Sequence, residues 1–80
     1  MATLRLFAAA REAAGTGRAT IPGGTVGAVL EEAVRTFGSG FGEILDHSRV
    51  WRNGDPAELD EPVTDSDEVA VLPPVSGGCR

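Results

Sequence analysis

The residues with the clearest chemical potential lie at the C-terminus, where Gly77 and Gly78 precede Cys79 and Arg80. A backbone carbonyl between residues without side chains can enter a narrow channel and be attacked without steric hindrance. The preceding PPVS segment, residues 73–76, cannot continue a central strand, and its prolines favour an extended path. Residues 73–78 reach about 20 Å when extended. The pattern predicts a flexible tail that presents an acyl group to another macromolecule.

Other reactive side chains are few. The chain has one cysteine, Cys79, and one histidine, His47. This excludes an internal disulfide framework and a multi-cysteine zinc site, and it makes a Ser-His-Asp or Cys-His enzyme hard to build. We interpret His47 as a loop residue rather than a metal ligand, and Trp51 as a packing residue rather than a cofactor-stacking one. The carboxylates of residues 60–68 lack calcium-loop spacing and are interpreted as a solvated acidic turn.

Length and charge narrow the class of protein. Eighty residues with a net charge of -5 allow one small domain and argue against a free-standing nucleic-acid binder. No apolar run approaches a membrane span, and no signal peptide is evident, so we expect a cytoplasmic protein. All seven basic residues are arginine. The absence of lysine reflects either codon bias or protection of an activated acyl carrier from acylating itself.

The elements that must position the tail follow from hydrophobic periodicity. Strands are predicted over Thr3–Ala8, Arg18–Ile21, Arg49–Arg52 and Glu68–Leu72, with a short edge strand over Pro56–Leu59 after an Asn-Gly hairpin turn. Residues 9–14 are helix-forming but too short for a stable isolated helix. Six apolar residues spaced along 26–37 predict an amphipathic helix capped by Thr25. Phe41–Leu45 is expected to add one turn.

This order of elements predicts an α+β fold. The first and last strands are the most apolar, so we expect them to form the central pair of a mixed sheet covered by one main helix. A β-grasp (ubiquitin-like) domain over residues 1–72, followed by a flexible tail over residues 73–80, is the most economical arrangement. A ferredoxin-like fold is the runner-up, but it needs a second full helix.

Several segments resemble a known family. LFAAAREAAG at residues 6–15, IPGGTV at 21–26, NGDPA at 53–57 and, most specifically, DSDEVAVLPPVSGG at 65–78 carry the resemblance. The chain resembles the bacterial ubiquitin-like sulfur carrier proteins, most closely the small subunit of molybdopterin synthase. The carrier of the thiamine pathway shares the fold and the Gly-Gly end but is less similar over the Pro-Pro-Val segment.

The resemblance implies a protein cosubstrate rather than an enzyme. An ATP-dependent adenylyltransferase of the ubiquitin-activating type would activate Gly78, with Gly77 as its channel neighbour, and the adenylate would become a thiocarboxylate that gives sulfur to a partner synthase. ATP and its metal would belong to the activating enzyme, so this chain is expected to need no cofactor and no metal of its own. The acidic surface would suit partners with basic patches. The expected partner-binding residues are Phe7, Leu72, Pro73, Pro74, Val75 and Ser76; for Phe7 and Leu72 the alternative is ordinary packing under the tail.

Cys79 and Arg80 depart from the family pattern, because mature carriers end at Gly-Gly. We expect a precursor from which a protease, for which a JAMM-type zinc metalloprotease is plausible, removes both residues to free the Gly78 carboxylate. Alternatively, the Cys79 thiol attacks the Gly78 carbonyl in an N-to-S acyl shift. The extension favours a carrier for cysteine, a thiosugar or a sulfur-containing metabolite. The alternatives are the molybdopterin synthase small subunit, a ubiquitin-like protein modifier and an interaction domain with an inert tail.

Overall fold

The computed structural model of the protein describes residues 1–74. Five strands and three helices follow one another along this part of the chain. Their bounds are β1 Ala2–Leu6, α1 Ala8–Ala14, β2 Arg18–Ile21, α2 Val26–Phe37, α3 Ser39–Asp46, β3 Arg49–Arg52, β4 Asp55–Pro56 and β5 Glu68–Leu72.

The sheet is mixed, with strand order β2-β1-β5-β3-β4. β1 and β5 form the parallel pair at its centre, where Leu4 lies opposite Val69 and Leu6 opposite Val71. All four side chains are buried, because this face of the sheet lies under the helices. The prediction that the first and last strands pair at the centre is confirmed, and this topology defines a β-grasp fold.

Of the three helices, α2 contributes the most buried residues to the core. The Thr25 hydroxyl accepts a 3.1 Å hydrogen bond from the Ala28 amide, as expected for an N-cap. The predicted apolar stripe is confirmed, since Val26, Val29, Leu30 and Ala33 are all buried. The apolar face of the sheet is therefore closed by the helix that the periodicity predicted.

The predictions for the end of β1 and for the helices α1 and α3 need correction. The first strand ends at Leu6 rather than Ala8, and residues 8–14 form helix α1 despite its short length. α3 spans eight residues rather than one turn at Phe41–Leu45. The physical reason is mutual packing, because α1 and α3 contact each other and bury Ala10 and Phe41 completely. Tertiary burial stabilises helices that isolated peptides of this length would not form.

The hairpin after β3 forms as predicted, with Asn53 and Gly54 both at positive φ, 52° and 90°. The returning strand is shorter than expected: β4 is Asp55–Pro56 and not Pro56–Leu59. The chain instead turns towards α2, where the Leu59 carbonyl accepts a 2.8 Å hydrogen bond from the Gly27 amide. In a longer edge strand the Leu59 carbonyl would lie at the edge of the sheet. Here it accepts a hydrogen bond from α2 instead.

Candidate functional site at the base of the tail

The candidate site begins where β5 delivers the chain to the end of the central strand pair. Leu72 is the last residue of β5, and Pro73 and Pro74 follow outside the sheet. The expected site residues Val75, Ser76, Gly77, Gly78, Cys79 and Arg80 lie outside the described residues, and the roles expected for them remain predictions.

Phe7 and Leu72 are neighbours on the sheet face that α2 does not cover. Leu6 lies opposite Val71 in the parallel pair, so Phe7 and Leu72 occupy the next register position. The sequence predicts that both point away from the buried face. Their exposures, 39% for Phe7 and 37% for Leu72, fit that placement. Together these two side chains form what we call the tail-base patch.

The backbone after β1 sets the position of Phe7. Phe7 itself is extended, whereas Ala8 has φ 52°, the left-handed region that L-residues seldom adopt. The turn lets the Phe7 carbonyl accept hydrogen bonds from the amides of Ala10 (3.1 Å) and Arg11 (3.4 Å), starting α1. Ala8 was not among the predicted site residues, because alanine gives no sequence signal for positive φ.

Side-chain contacts also hold the tail-base patch. The Arg5 guanidinium carbon lies 5.6 Å from the centre of the Phe7 ring, within cation–π range. The same guanidinium donates a 3.3 Å hydrogen bond to Glu68 on the neighbouring strand. Arg5 therefore contacts both the Phe7 ring and the Glu68 carboxylate.

A cleft of about 390 Å³ lies beside the tail base. Its walls include Ala9 from α1, Ile44 and His47 from the end of α3, and the two prolines Pro73 and Pro74. His47 is the C-cap of α3, with its amide bonded to the Ile44 carbonyl, so its interpretation as a connecting residue holds. Its proximity to the tail base was not anticipated, because residues 47 and 73 are far apart in sequence.

The acidic turn is tied down by its own hydrogen bonds. Asp67 accepts from the Asn53 side chain at 2.9 Å and from the Thr64 amide at 2.8 Å, and these bonds, with Arg52 nearby, lower the pKa of Asp67. The Glu58 amide and the Arg52 side chain likewise lower the pKa of Glu61. Within residues 1–74, no group of three or more His, Cys, Asp or Glu side chains could hold a metal ion. The hydrogen bonds accepted by Asp67 and Glu61 close the turns in this segment.

The tail-base patch is apolar, and the two carboxylates with lowered pKa values, Glu61 and Asp67, both lie between β4 and β5. What this part of the chain provides is an anchored exit point and an exposed surface beside it.

Among the described helices, none is long and apolar enough to cross a bilayer.

The sheet order, the central parallel pair and the single helical layer define the class: a ubiquitin-like β-grasp protein with its chain exit at β5. The model of the ThiS family matches residues 4–78. The chain belongs to the ThiS family of ubiquitin-like sulfur carriers and modifiers.

Similar proteins agree with this assignment. Small archaeal modifier protein 1 of Haloferax volcanii is 44% identical over 85 aligned positions, covering 92% of this chain and 97% of that protein. Its crystal structure matches with a TM-score of 0.79 at 36% identity, over 95% of this chain and 97% of that one. The solution structure of small archaeal modifier protein 1 from Methanosarcina acetivorans matches with a TM-score of 0.86 at 28% identity, over 96% and 95%.

Proposed function

We propose that this protein is a sulfur carrier whose Gly78, after removal of Cys79 and Arg80, is adenylated and converted to a thiocarboxylate. The thiocarboxylate then gives its sulfur to a biosynthetic enzyme that makes cysteine, a thiosugar or a sulfur-containing metabolite. The protein acts as a cosubstrate and needs no cofactor of its own, since ATP and Mg²⁺ are used by an activating enzyme of the ubiquitin-activating type. The reactions occur in the cytoplasm.

The observation that carries the proposal is the position of the chain exit. Leu72 ends the central strand β5 beside the exposed Phe7, and Gly78 follows only six positions later in the sequence. An extended segment of this length spans about 20 Å, enough to enter the active site of a partner that covers the patch. The family match also ends at Gly78, leaving Cys79 and Arg80 outside the matched range. This supports the Gly78–Cys79 bond as the processing site.

The proposed chemistry balances at each step. A metalloprotease, for which we infer the JAMM type, adds water across the Gly78–Cys79 bond and frees a carboxylate. A carboxylate oxygen attacks the α-phosphate of ATP, pyrophosphate leaves, and a mixed anhydride with AMP forms. A sulfur nucleophile, provided as sulfide or a persulfide, attacks the Gly78 carbonyl and AMP leaves. With a persulfide donor, reduction of the resulting disulfide by a thiol frees the thiocarboxylate.

Protein modification is the second candidate, favoured by the names of the relatives. The Haloferax and Methanosarcina proteins are called small archaeal modifier proteins. In this alternative the amine of a target lysine attacks the activated Gly78 carbonyl, so that an isopeptide bond forms and AMP leaves. Adenylation is common to both candidates, and they differ in the nucleophile that follows.

The test is an incubation of the chain ending at Gly78 with an activating enzyme, Mg²⁺-ATP, sulfide and a lysine-containing protein. Intact-mass analysis distinguishes the outcomes. Replacement of one carboxyl oxygen by sulfur supports the carrier, and an adduct on lysine supports the modifier. No mass change, with an activating enzyme that adenylates a known family member in parallel, overturns both. The full chain with Cys79 and Arg80 is the matched control and should not be adenylated.

A further inference from the structure

A second cleft opens at the edge of the helical layer, away from the tail base. It has a volume of about 400 Å³ and lies between the start of α2, the end of α3, the start of β3 and the segment after β4. Leu30, Leu45, Val50 and Leu59 supply its apolar walls. A cleft of this volume is within the range of ligand sites in proteins, so it can accept one or two apolar side chains.

This cleft and the tail-base patch belong to opposite faces of the sheet. Val50 lies opposite Val71 in the β3–β5 pair, and Val71 is completely buried on the face that the helices cover. Because successive strand residues alternate between faces, Leu72 points to the other face, where it joins Phe7. A protein that covers the tail-base patch can therefore leave the cleft open.

Leu59 stands on a fixed backbone at the rim of the cleft. Its carbonyl accepts a 2.8 Å hydrogen bond from the Gly27 amide, and the Glu61 carbonyl accepts one of 2.9 Å from the Val26 amide. The Leu59 side chain is 62% exposed and does not belong to the core or to the residues packed against it. Backbone contacts with α2 thus set its position, and its apolar surface extends the wall of the cleft.

The rim of the cleft is acidic. Glu31 and Asp46 line it, and no basic residue of the described chain does. Both side chains are exposed, and within residues 1–74 neither forms an ion pair. Arg35, one helical turn from Glu31, pairs with Glu32 instead. Both rim carboxylates are therefore available to a partner.

Asp46 also opposes the dipole of its own helix. It is the last residue of α3, whose final turn contains Glu43 and no basic residue. The C-terminal end of a helix has a partial negative charge, which favours a cation and disfavours a carboxylate. Negative charge thus lies where it weakens the helix, and a cation bound there would be attracted by the carboxylates and by the helix end.

We propose that this cleft binds a segment of a partner protein in which leucine-like side chains are flanked by arginine or lysine. The apolar side chains enter the cleft, and the cationic groups pair with Glu31 and Asp46. The partner is a different protein from one that covers the tail-base patch, since the two surfaces belong to opposite faces of the sheet. The inference adds a second interaction surface and does not depend on the chemistry proposed for Gly78.

Charge favours this occupant over the alternatives. A second copy of the chain, bound through the same surface, would bring one acidic rim against another, and each copy has a net charge of -5. The phosphates of a nucleic acid would be repelled by the same carboxylates. A basic segment instead gains from the local negative potential.

The test is a titration of the isotope-labelled full chain with the peptide GSRLLRGS, followed through amide chemical shifts. We expect shifts at Leu45, Ser48 and Val50, and none at Phe7 or Leu72. The peptides GSELLEGS and GSRSSRGS keep the apolar part and the charged part, respectively. Each should bind about tenfold more weakly than GSRLLRGS, because both parts contribute to affinity.

Two variants and a matched control assign binding to the cleft. We expect about threefold weaker binding for Glu31→Gln, which removes one rim charge, and about fivefold weaker binding for Leu59→Ala. Glu12→Gln makes the same change in net charge on α1 and should bind like the wild type. Asp46 is kept intact because it also lines the cleft beside the tail base. The three substituted side chains are exposed, so the thermal midpoints should stay close to that of the wild type.

Several results would overturn the proposal. These are the absence of shifts with GSRLLRGS, shifts centred on the tail-base patch, equal binding of the three peptides, and an equal loss in Glu31→Gln and Glu12→Gln. Sedimentation of the chain alone tests the second copy as occupant. Self-association of the wild type that Leu59→Ala abolishes would assign the cleft to a second copy and would overturn the proposal as well.

Discussion

The guanidinium carbon of Arg5 lies 5.6 Å from the centre of the Phe7 ring, on the face of the sheet that no helix covers. Residues two apart on a strand share a face, and the contact continues that alternation past the end of β1. Glu68 on the neighbouring strand accepts a 3.3 Å hydrogen bond from the same guanidinium. An exposed ring is thus kept at the point where the central strands end, next to the origin of the tail.

Replacement of Phe7 by alanine should separate binding from stability. The ring is 39% exposed and its contact with Arg5 is a surface cation–π pair, so we expect Phe7→Ala to cost about 1 kcal/mol of folding free energy. As an interface anchor it should cost about 2 kcal/mol of binding free energy to the activating enzyme. Urea denaturation and calorimetry measure the two effects. Leu59→Ala is the matched control, since Leu59 is 62% exposed and lies away from the patch. Equal affinities for the two variants would contradict a role for Phe7 in docking.

Ala8 has a backbone geometry that glycine adopts at lower cost. At φ 52° an L-residue is disfavoured by roughly 1 kcal/mol, so Ala8→Gly should raise the free energy of unfolding by about 0.5 kcal/mol after the entropy of the unfolded chain is included. Ala9→Gly, one residue further in the helix, should lower it by about 0.5–1 kcal/mol. Chemical denaturation of both variants gives the comparison. A loss of stability in both would show that Ala8 is not strained.

Adjacent glycines before α2 should respond differently to substitution. A Cβ at Gly23 would lie 2.7 Å from the Val29 amide nitrogen, whereas a Cβ at Gly24 would meet nothing within 4 Å. We expect Gly23→Ala to destabilise the protein by about 1–3 kcal/mol, since backbone must move to relieve the overlap. Gly24→Ala should leave the thermal midpoint nearly unchanged. Similar midpoints for the two variants would contradict the described turn.

Lowering the pH should destabilise the protein, because the ionised side chains of Glu61 and Asp67 stabilise the turns around them. Both carboxyls have a lowered pKa in the folded protein, so the ionised form stabilises the fold. This contribution is complete above the ordinary carboxyl range and is lost as pH falls from about 5 towards the lower folded values. Urea midpoints measured from pH 7 to pH 3 should therefore decline.

A substitution identifies the source of that decline. Asp67→Asn should be less stable than the wild type at neutral pH and lose less stability on acidification, because the variant has no carboxylate to protonate at that position. Asp60→Asn is the control, since no side-chain hydrogen bond involves Asp60 within the described chain. An acid profile for Asp67→Asn that parallels the wild type would rule out the pairing as a stabilising contact.

Much of the fold is predictable from local pattern. The alternation in β5, the helical spacing from Val26 to Phe37 and the Asn53-Gly54 turn each specify an element through its own residues. Helices α1 and α3 could not be assigned in the same way. Their stability comes from packing against each other around Ala10 and Phe41, a contact between segments that local sequence does not reveal.

The candidate site, like the fold, could be predicted from the sequence only in part. The exposure of Phe7 and Leu72 follows from strand alternation, whereas their role in partner binding comes from the family resemblance and stays a prediction. The opposition of Arg5 and Arg18 depends on strand register, and the nearness of His47 to Pro73 depends on how α3 packs. Net charge is a property of composition, so it does not reveal that Arg5, Arg18 and Arg49 share one face of the sheet.

The most direct test of the account is the intact mass of the protein recovered from its own cells together with its pathway enzymes. Treatment with an alkylating reagent marks a thiocarboxylate, and Cys79→Ser provides a chain in which the N-to-S acyl shift is impossible. We predict a species that ends at Gly78, has one carboxyl oxygen replaced by sulfur, and forms in both the wild type and the variant. Thiocarboxylate that is never found at Gly78, or sulfur-bearing species that always retain Arg80, would contradict the account.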